Sequence, residues 1–286
     1  MALWNHEIVM LGDDTTLVEC GPMRLFIDGS RKGVRDPDAC RVAAEKALAF
    51  LEEIAGHRAE MHQPAVMCSE PPQSDLAHEM WRAVRLMGDH DLTPMAAVAG
   101  TIADATADFM VSMGLTRVLV NNGGDVAVRL ARGEQASVGI RPKVGTPAVS
   151  HRVVITADLK VGGICTSGLG GRSFTRGVAS SASVFASRAS VADAAATAVA
   201  NATYIDSQSV RRGRADTIFP DTDLQNVDVT VDVGPLTATE IETALRQGLE
   251  RAEALVGQRL IFGACVIVKG RLECTRFLSP LVEKLI

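Results

Sequence analysis

Aromatic residues are scarce: one tyrosine, two tryptophans and eight phenylalanines in 286 residues. That argues against a surface that stacks nucleic-acid bases. Basic stripes are missing too. The net charge is −5 with acids and bases mixed along the chain, so nothing in the sequence collects the positive charge that a phosphate backbone requires. The densest basic cluster, Arg211, Arg212 and Arg214, is short and reads as a solvated loop. The six cysteines (Cys20, Cys40, Cys68, Cys165, Cys265, Cys274) include no C-x-x-C pair. This spacing fits reduced, mostly buried thiols better than a disulfide framework or a zinc site. Apolar runs stay short of the roughly 18 residues a membrane helix needs. The opening stretch, "MALWNHEIVMLGDDTT", has no basic segment followed by an apolar run, which predicts a cytoplasmic protein without a signal peptide.

What the sequence does contain is small residues and regular alternation. Residues 7–30 alternate and turn like short antiparallel strands. Asp36 and Pro37 then read as the cap and first position of a helix over "ACRVAAEKALAFLEEI". Ser74 caps a second helix, and Thr93-Pro94 opens a third that is rich in Ala and Gly. Residues 116–130 spell strand, tight turn, strand. Further strands are predicted at "ASVGI", "RVVIT", "GGICTS", "SASVFA" and "VDVTVDV". A helix over 189–204, a polar loop to about residue 226, a helix with capping-box spacing from Thr237 to Glu240, and a hairpin turning at Lys269-Gly270 complete the pattern. Long helices combined with mostly adjacent strands predict an α+β fold with antiparallel or mixed sheets and packed helices. No Pro/Ser-rich linker divides the chain, so residues 1–286 are expected to form one unit, at most two intimate lobes.

Three stretches carry candidate chemistry. In "ASVADAAATAVAN", residues 189–201, Ser190 and Asp193 have capping-box spacing. Yet Asp193 and Thr197 lie one helical turn apart on a single face, and Asn201 continues that line. A carboxylate and a hydroxyl so placed suit a hard cation such as Mg²⁺. The residues alone leave both readings open. In "VNNGGDVAV", Gly123 and Gly124 form a turn that can bring bare backbone against a ligand, followed by Asp125. In "GGICTSGLGGRSFTRG", residues 162–177, backbone amides, Thr166, Ser167, Gly168 and the arginines Arg172 and Arg176 can face a phosphate or carboxylate. Ser167, Ser173, Ser180 and Ser181 admit a serine nucleophile, but there is no G-x-S-x-G elbow, and His151 is the one histidine near in sequence.

Taken in order, "VNNGGDV", "GGICTSG" and "ADAAATA" resemble the ApbE-like superfamily, which includes FAD:protein FMN transferases. "TPMAAVAGTIAD" is similar to a short branch of that superfamily without a lipoprotein signal. The resemblance spans about residues 15–205. It implies an α+β fold with a ligand cleft between two lobes, FAD or FMN as ligand, and a flavin-acceptor protein as partner. It also implies a Mg²⁺ site on the Asp and Thr of a D-x-x-x-T motif, here Asp193 and Thr197. Gly123, Gly124, Asp125, Thr166, Ser167, Gly168 and Arg176 would bind the cofactor, and Ser167, Ser173 and Arg172 are candidates for the chemistry. The family's H-x-x-D-P-like segment has no counterpart: the corresponding stretch is "RSFTRGVASSASV". Two alternatives therefore stand beside FMN transfer. One is a different enzyme for a small anionic or cyclic substrate, with Arg172 and Arg176 as its clamp. The other is a non-catalytic flavin or nucleotide binder.

Overall fold

A computed structural model describes residues 4–68, 70–142, 148–171 and 173–285. Its first three strands, β1 (His6–Met10), β2 (Thr16–Cys20) and β3 (Met23–Arg31), form the expected antiparallel run, with the short β4 (Val34–Arg35) folding back on β3. Helix α1 (Pro37–Gly56) starts where the sequence places it. Asp36 Oδ1 accepts the Ala39 N–H at 3.0 Å, and proline occupies the first position, where no amide is missed. Its buried face, Cys40, Ala43, Ala44, Ala47, Leu51 and Ile54, follows the helical period. Helix α2 (Asp75–Arg85) is capped by Ser74.

Thr93-Pro94 begins only a single 3-10 turn, Pro94–Ala97, which leads into helix α3 (Val98–Ser112). The Thr93 hydroxyl does not cap it, because that hydroxyl is bonded to the Asp223 carboxylate. Strands β5 (Arg117–Asn122) and β6 (Asp125–Leu130) flank the Gly123-Gly124 turn. Strands β7 (Gln135–Ile140) and β8 (His151–Thr156) form a hairpin outside the main sheet, and β9 (Gly163–Ser167) and β10 (Ser181–Ala186) return to it. After helix α4 (Ala189–Ala202), the stretch read as a polar loop holds strand β11 (Val210–Arg214) and one turn of helix, α5 (Ala215–Ile218). Val-Arg-Arg-Gly-Arg offers no apolar alternation; pairing with β12 (Asp228–Val233) makes it a strand. Helix α6 (Ala238–Gly257) carries the full Thr237/Glu240 capping box. Strands β13 (Gly263–Val268) and β14 (Arg271–Cys274) make the expected hairpin, and β15 (Val282–Lys284) joins β8.

The main sheet runs β1-β2-β3-β5-β6-β9-β10-β13-β14, every recorded pairing antiparallel, and β15-β8-β7 form a second sheet. The fold is thus α+β. Side chains alternate along β10 and β13 between two apolar clusters. Ala182, Val184, Ala264 and Val266 face the helices; Phe185, Cys265 and Ile267 face Val153 and Ile155 of the β7–β8 hairpin. Both strands are consequently buried at every position.

Helix α4 packs against α2, α3, α6, β9 and β10, and a helix covered on nearly all sides cannot present a polar face. That burial explains its alanines. A Cβ built on Gly100 of α3 would lie 2.3 Å from the Ala189 carbonyl oxygen, so only glycine admits this crossing. The Ser190–Asp193 capping box does not form. The helix starts at Ala189, which places both residues inside it. Ser190 instead gives its N–H to Asp104 Oδ2 at 2.9 Å.

Candidate functional site

A cavity of about 380 Å³ opens where the start of α3, the β5–β6 turn, the loop after β9 and the cavity-facing side of α4 meet residues 219–229. That volume lies within the range of small-molecule sites, roughly 300–1,000 Å³. Asp193 and Thr197 both line it, as their one-turn spacing requires, and Asn201 follows on the next turn. Asn201 Oδ1 accepts the Arg176 N–H at 2.9 Å and the Thr175 hydroxyl at 3.2 Å, tying the loop to α4.

Two acids dominate the inner wall. Asp193 Oδ2 accepts the Gly100 N–H at 2.9 Å, so it serves the first turn of α3 rather than its own helix. Asp125, at the start of β6, accepts the Thr166 N–H at 3.1 Å through Oδ1. Burial pushes the Asp125 carboxyl up to about 7 against the opposing Thr166 N–H. Burial, then the Asp125 charge, push Asp193 well above the carboxylate range, despite the N–H groups of Gly100 and Ala99. The two carboxylates thus repel each other in a low-dielectric wall. Cys165 lies against the same acids. Burial and the charges of Asp125, Asp193 and Asp104 drive its thiol well up, and its Sγ is hydrogen-bonded to the Ala189 carbonyl at 3.2 Å. It is an inert packing residue.

The Thr166-Ser167-Gly168 segment supplies the polar edge. The Thr166 hydroxyl is hydrogen-bonded to Ser183 at 2.8 Å. Ser167 is 8% exposed, and its Oγ, on the cavity wall, has no hydrogen-bond partner among the described residues. A buried hydroxyl left in this state costs free energy until something in the cavity engages it. Gly168 has φ +146°, and a Cβ there would meet the Ser180 carbonyl at 2.9 Å. Glycine is required to turn the chain at this point.

Most of the residues singled out in the sequence therefore converge. Gly123, Asp125, Thr166, Ser167, Gly168, Ser173, Arg176, Asp193 and Thr197 share the cavity. Gly124 shapes the turn from outside it, its N–H bonded to Asn121 Oδ1 at 2.9 Å. Arg172 lies outside the described residues. The arginine clamp meets an obstacle, because Arg176 already holds Asp91 with its two terminal guanidinium nitrogens. Among the described residues, neither Ser167 nor Ser181 is hydrogen-bonded to a base. Ser167 Oγ has no partner there, Ser181 is hydrogen-bonded to the Arg141 carbonyl, and His151, at the start of β8, is bonded to Ser150.

Sequence reasoning missed the outer wall. Arg58 reaches Asp221 at 3.2 Å, and Thr93 bonds Asp223, so the 219–224 segment is fastened over the cavity from two sides. The only sequence signal was acids concentrated in "GDHD" and "FPDTD", and acids in loops are ordinarily solvated. The pairing is between segments some 130–160 residues apart.

The donors fit a hard divalent cation. Asp193, Thr197 and Asp125 would all offer it oxygen donors, and the Ser167 hydroxyl, unpartnered among the described residues, sits on the same wall. Among the described residues no three His, Cys, Asp or Glu side chains gather into a metal cluster. A Mg²⁺ ion seldom needs one, since it is commonly held by one or two carboxylates together with waters and substrate phosphates. No helix among the described residues is long and apolar enough to cross a membrane.

The model of one protein family, described as "AbpE bacteria", matches residues 8–274. The chain belongs to this family. A UPF0280 protein of Methanopyrus kandleri is 37% identical over 183 residues, covering 60% of this chain and 71% of that protein. A UPF0280 protein of Methanosarcina barkeri is 37% identical over 138 residues, and there the match spans about half of each chain (48% and 52%). Among solved structures, the apo flavinyl transferase ApbE of Pseudomonas stutzeri superposes with a TM-score of 0.52 at 13% identity, covering 98% of both chains. A variant of the flavin transferase ApbE from Vibrio cholerae gives 0.50 at 15% identity, with 97% and 99% covered. The expected ApbE-like fold is therefore the observed one.

Proposed function

We propose that the protein binds a flavin dinucleotide in this cavity with one Mg²⁺ and transfers FMN from FAD to a hydroxyl of an acceptor protein. The observation that carries the reading is the pairing of Asp125 and Asp193 on one wall, each raised by burial and the second also by the first, beside Thr197 and the unpartnered Ser167 Oγ. Burial makes this pair of acids unfavourable while both are charged, and a divalent cation beside them would supply the compensating positive charge. Asp193 and Thr197 would hold the ion, with Asp125 as the second carboxylate. The ion would offset charge developing on the pyrophosphate as it is cleaved. Ser167 Oγ and the backbone around Gly168 and Gly123 would orient the ligand, and the Arg58–Asp221 and Thr93–Asp223 contacts would keep water from the outer side.

Support also comes from the family and from the fold shared with flavin transferases. The test is product formation. Purified protein with FAD, Mg²⁺ and a serine- or threonine-bearing acceptor should release AMP and leave flavin covalently on the acceptor.

The second reading rests on "RSFTRGVASSASV", which lacks the His, Asp and Pro of the transferase segment. In it, the same cation site serves a different small anionic or cyclic substrate. Metal-dependent ligand binding without AMP release from FAD would favour it. Tight flavin binding indifferent to Mg²⁺ and without turnover would favour a non-catalytic binder.

A further inference from the structure

Cys265 and Cys274 are nine residues apart in sequence and directly opposed in the β13–β14 hairpin. The next pair along carries the ladder bond, Thr275 N–H to the Ala264 carbonyl at 2.9 Å. Alternation therefore makes Cys265/Cys274 a non-hydrogen-bonded pair, the kind in which opposed side chains lie closest. Their Sγ atoms are 2.6 Å apart, nearer to the roughly 2.0 Å of a disulfide bond than two separate thiols need be. Both face the second apolar cluster, on the side of the sheet opposite α4. Cys265 is buried, whereas Cys274 is half-buried on β14, the last strand of the sheet.

We propose that Cys265 and Cys274 are a dithiol modification site, which low-molecular-weight disulfides such as oxidised glutathione convert to an intramolecular disulfide. The Cys274 thiolate attacks one sulfur of the reagent, forming a mixed disulfide and expelling one reagent thiolate. Cys265, having lost its proton, then attacks the Cys274 sulfur, closing the Cys265–Cys274 bond and expelling the second reagent thiolate. Two protein thiols are oxidised, one reagent disulfide is reduced to two thiols, and the two protons pass to those thiolates. The order follows from access, since Cys274 lies on the edge strand and Cys265 behind it. The other cysteines have no such partner. Cys20, Cys40 and Cys165 are buried, and Cys68 is half-buried with its Sγ bonded to the Pro64 carbonyl. The site lies apart from the cavity residues and does not depend on the flavin reading.

The test equilibrates the full chain with oxidised glutathione, quenches in acid, alkylates under denaturing conditions and reads the mass. The wild type should take up two fewer alkyl groups than the reduced protein, with peptides containing Cys265 and Cys274 linked. Cys265→Ala should stop after the first step and accumulate a glutathione adduct on Cys274. Cys274→Ser should lose both the link and that adduct. Full alkylation of the treated wild type would overturn the proposal, and so would glutathione trapped on Cys68 with Cys265 and Cys274 still free.

Discussion

Asp193 of α4 accepts the Gly100 N–H of α3 at 2.9 Å. The exchange is reciprocal: Asp104 of α3 accepts the Ser190 N–H in the first turn of α4, also at 2.9 Å. Each helix thus lends a carboxylate to the other's N-terminal turn, where free amides and the helix dipole favour negative charge. The crossing that permits this exchange also delivers Asp193 to the cavity wall.

Gly100→Ala tests the crossing. In an open helix that change stabilises by about 1 kcal/mol. Here the new methyl would lie 2.3 Å from the Ala189 carbonyl oxygen and 2.9 Å from Asp193 Cβ. We expect destabilisation of about 1–3 kcal/mol instead, read as a lower midpoint in urea or heat. A midpoint at or above wild type would mean that the helices do not meet as described.

Arg129 tests the ion network behind the crossing. It binds Asp104, which is 1% exposed, at 2.7 Å and Asp108 at 2.7 Å. Arg129→Leu leaves the buried Asp104 carboxylate with the Ser190 N–H and, for an ion pair among the described residues, the more distant Arg188 at 3.3 Å. The expected cost is about 3 kcal/mol, the lower end for breaking a buried pair. Arg188→Leu should cost less, because that side chain is more exposed. Equal effects in the two denaturation curves would contradict this ranking.

Asp108 gives the acid-side behaviour a sign. Burial raises its pKa, but the Arg129 and Arg188 guanidiniums outweigh that and hold it below the ordinary value of 3.8. A carboxylate lowered in the folded state contributes stability that is present above its unfolded pKa and lost as pH falls through the folded one. The stability difference between wild type and Asp108→Asn should therefore be constant above about pH 5 and shrink below about pH 4. A difference that grows on acidification would refute the assignment.

With divalent cations removed, Asp193→Asn should melt at or above the wild-type temperature. The amide oxygen can still accept the Gly100 N–H, and the buried repulsion with Asp125 is gone. Adding Mg²⁺ should raise the wild-type midpoint and leave the variant's unchanged, since an ion stabilises only a fold that binds it. Loss of stability in the metal-free variant would show that Asp193 matters as a structural charge alone.

Much of the fold was legible because its signals are local. Asp36-Pro37, Ser74 and the Thr237/Glu240 box announce helix starts through bonds reaching only three residues, and Lys269-Gly270 announces a turn. Strand β11 was not legible because only its partner β12 makes it a strand. The Ser190–Asp193 spacing misled as a capping box: the amide near Asp193 that needed a carboxylate belonged to Gly100, 93 residues away. The inner wall of the cavity could be read from Asp125, Thr166, Ser167, Asp193 and Thr197, where glycines and hydroxyls cluster. Its outer wall could not, because Asp221 and Asp223 acquire their roles only by meeting Arg58 and Thr93 across the chain. The opposed Cys265 and Cys274 were likewise hidden by a spacing that resembles no cysteine motif.

The most direct test of the cation-assisted flavin site is calorimetric titration of FAD into the wild type, Asp193→Asn and Thr197→Val, each in Mg²⁺ and in EDTA. The account predicts wild-type affinity at least about tenfold stronger in Mg²⁺, a coupling of about 1.4 kcal/mol. Both variants in Mg²⁺ should fall to the wild-type level in EDTA. Equal affinity under all six conditions, or no FAD binding under any, would contradict it.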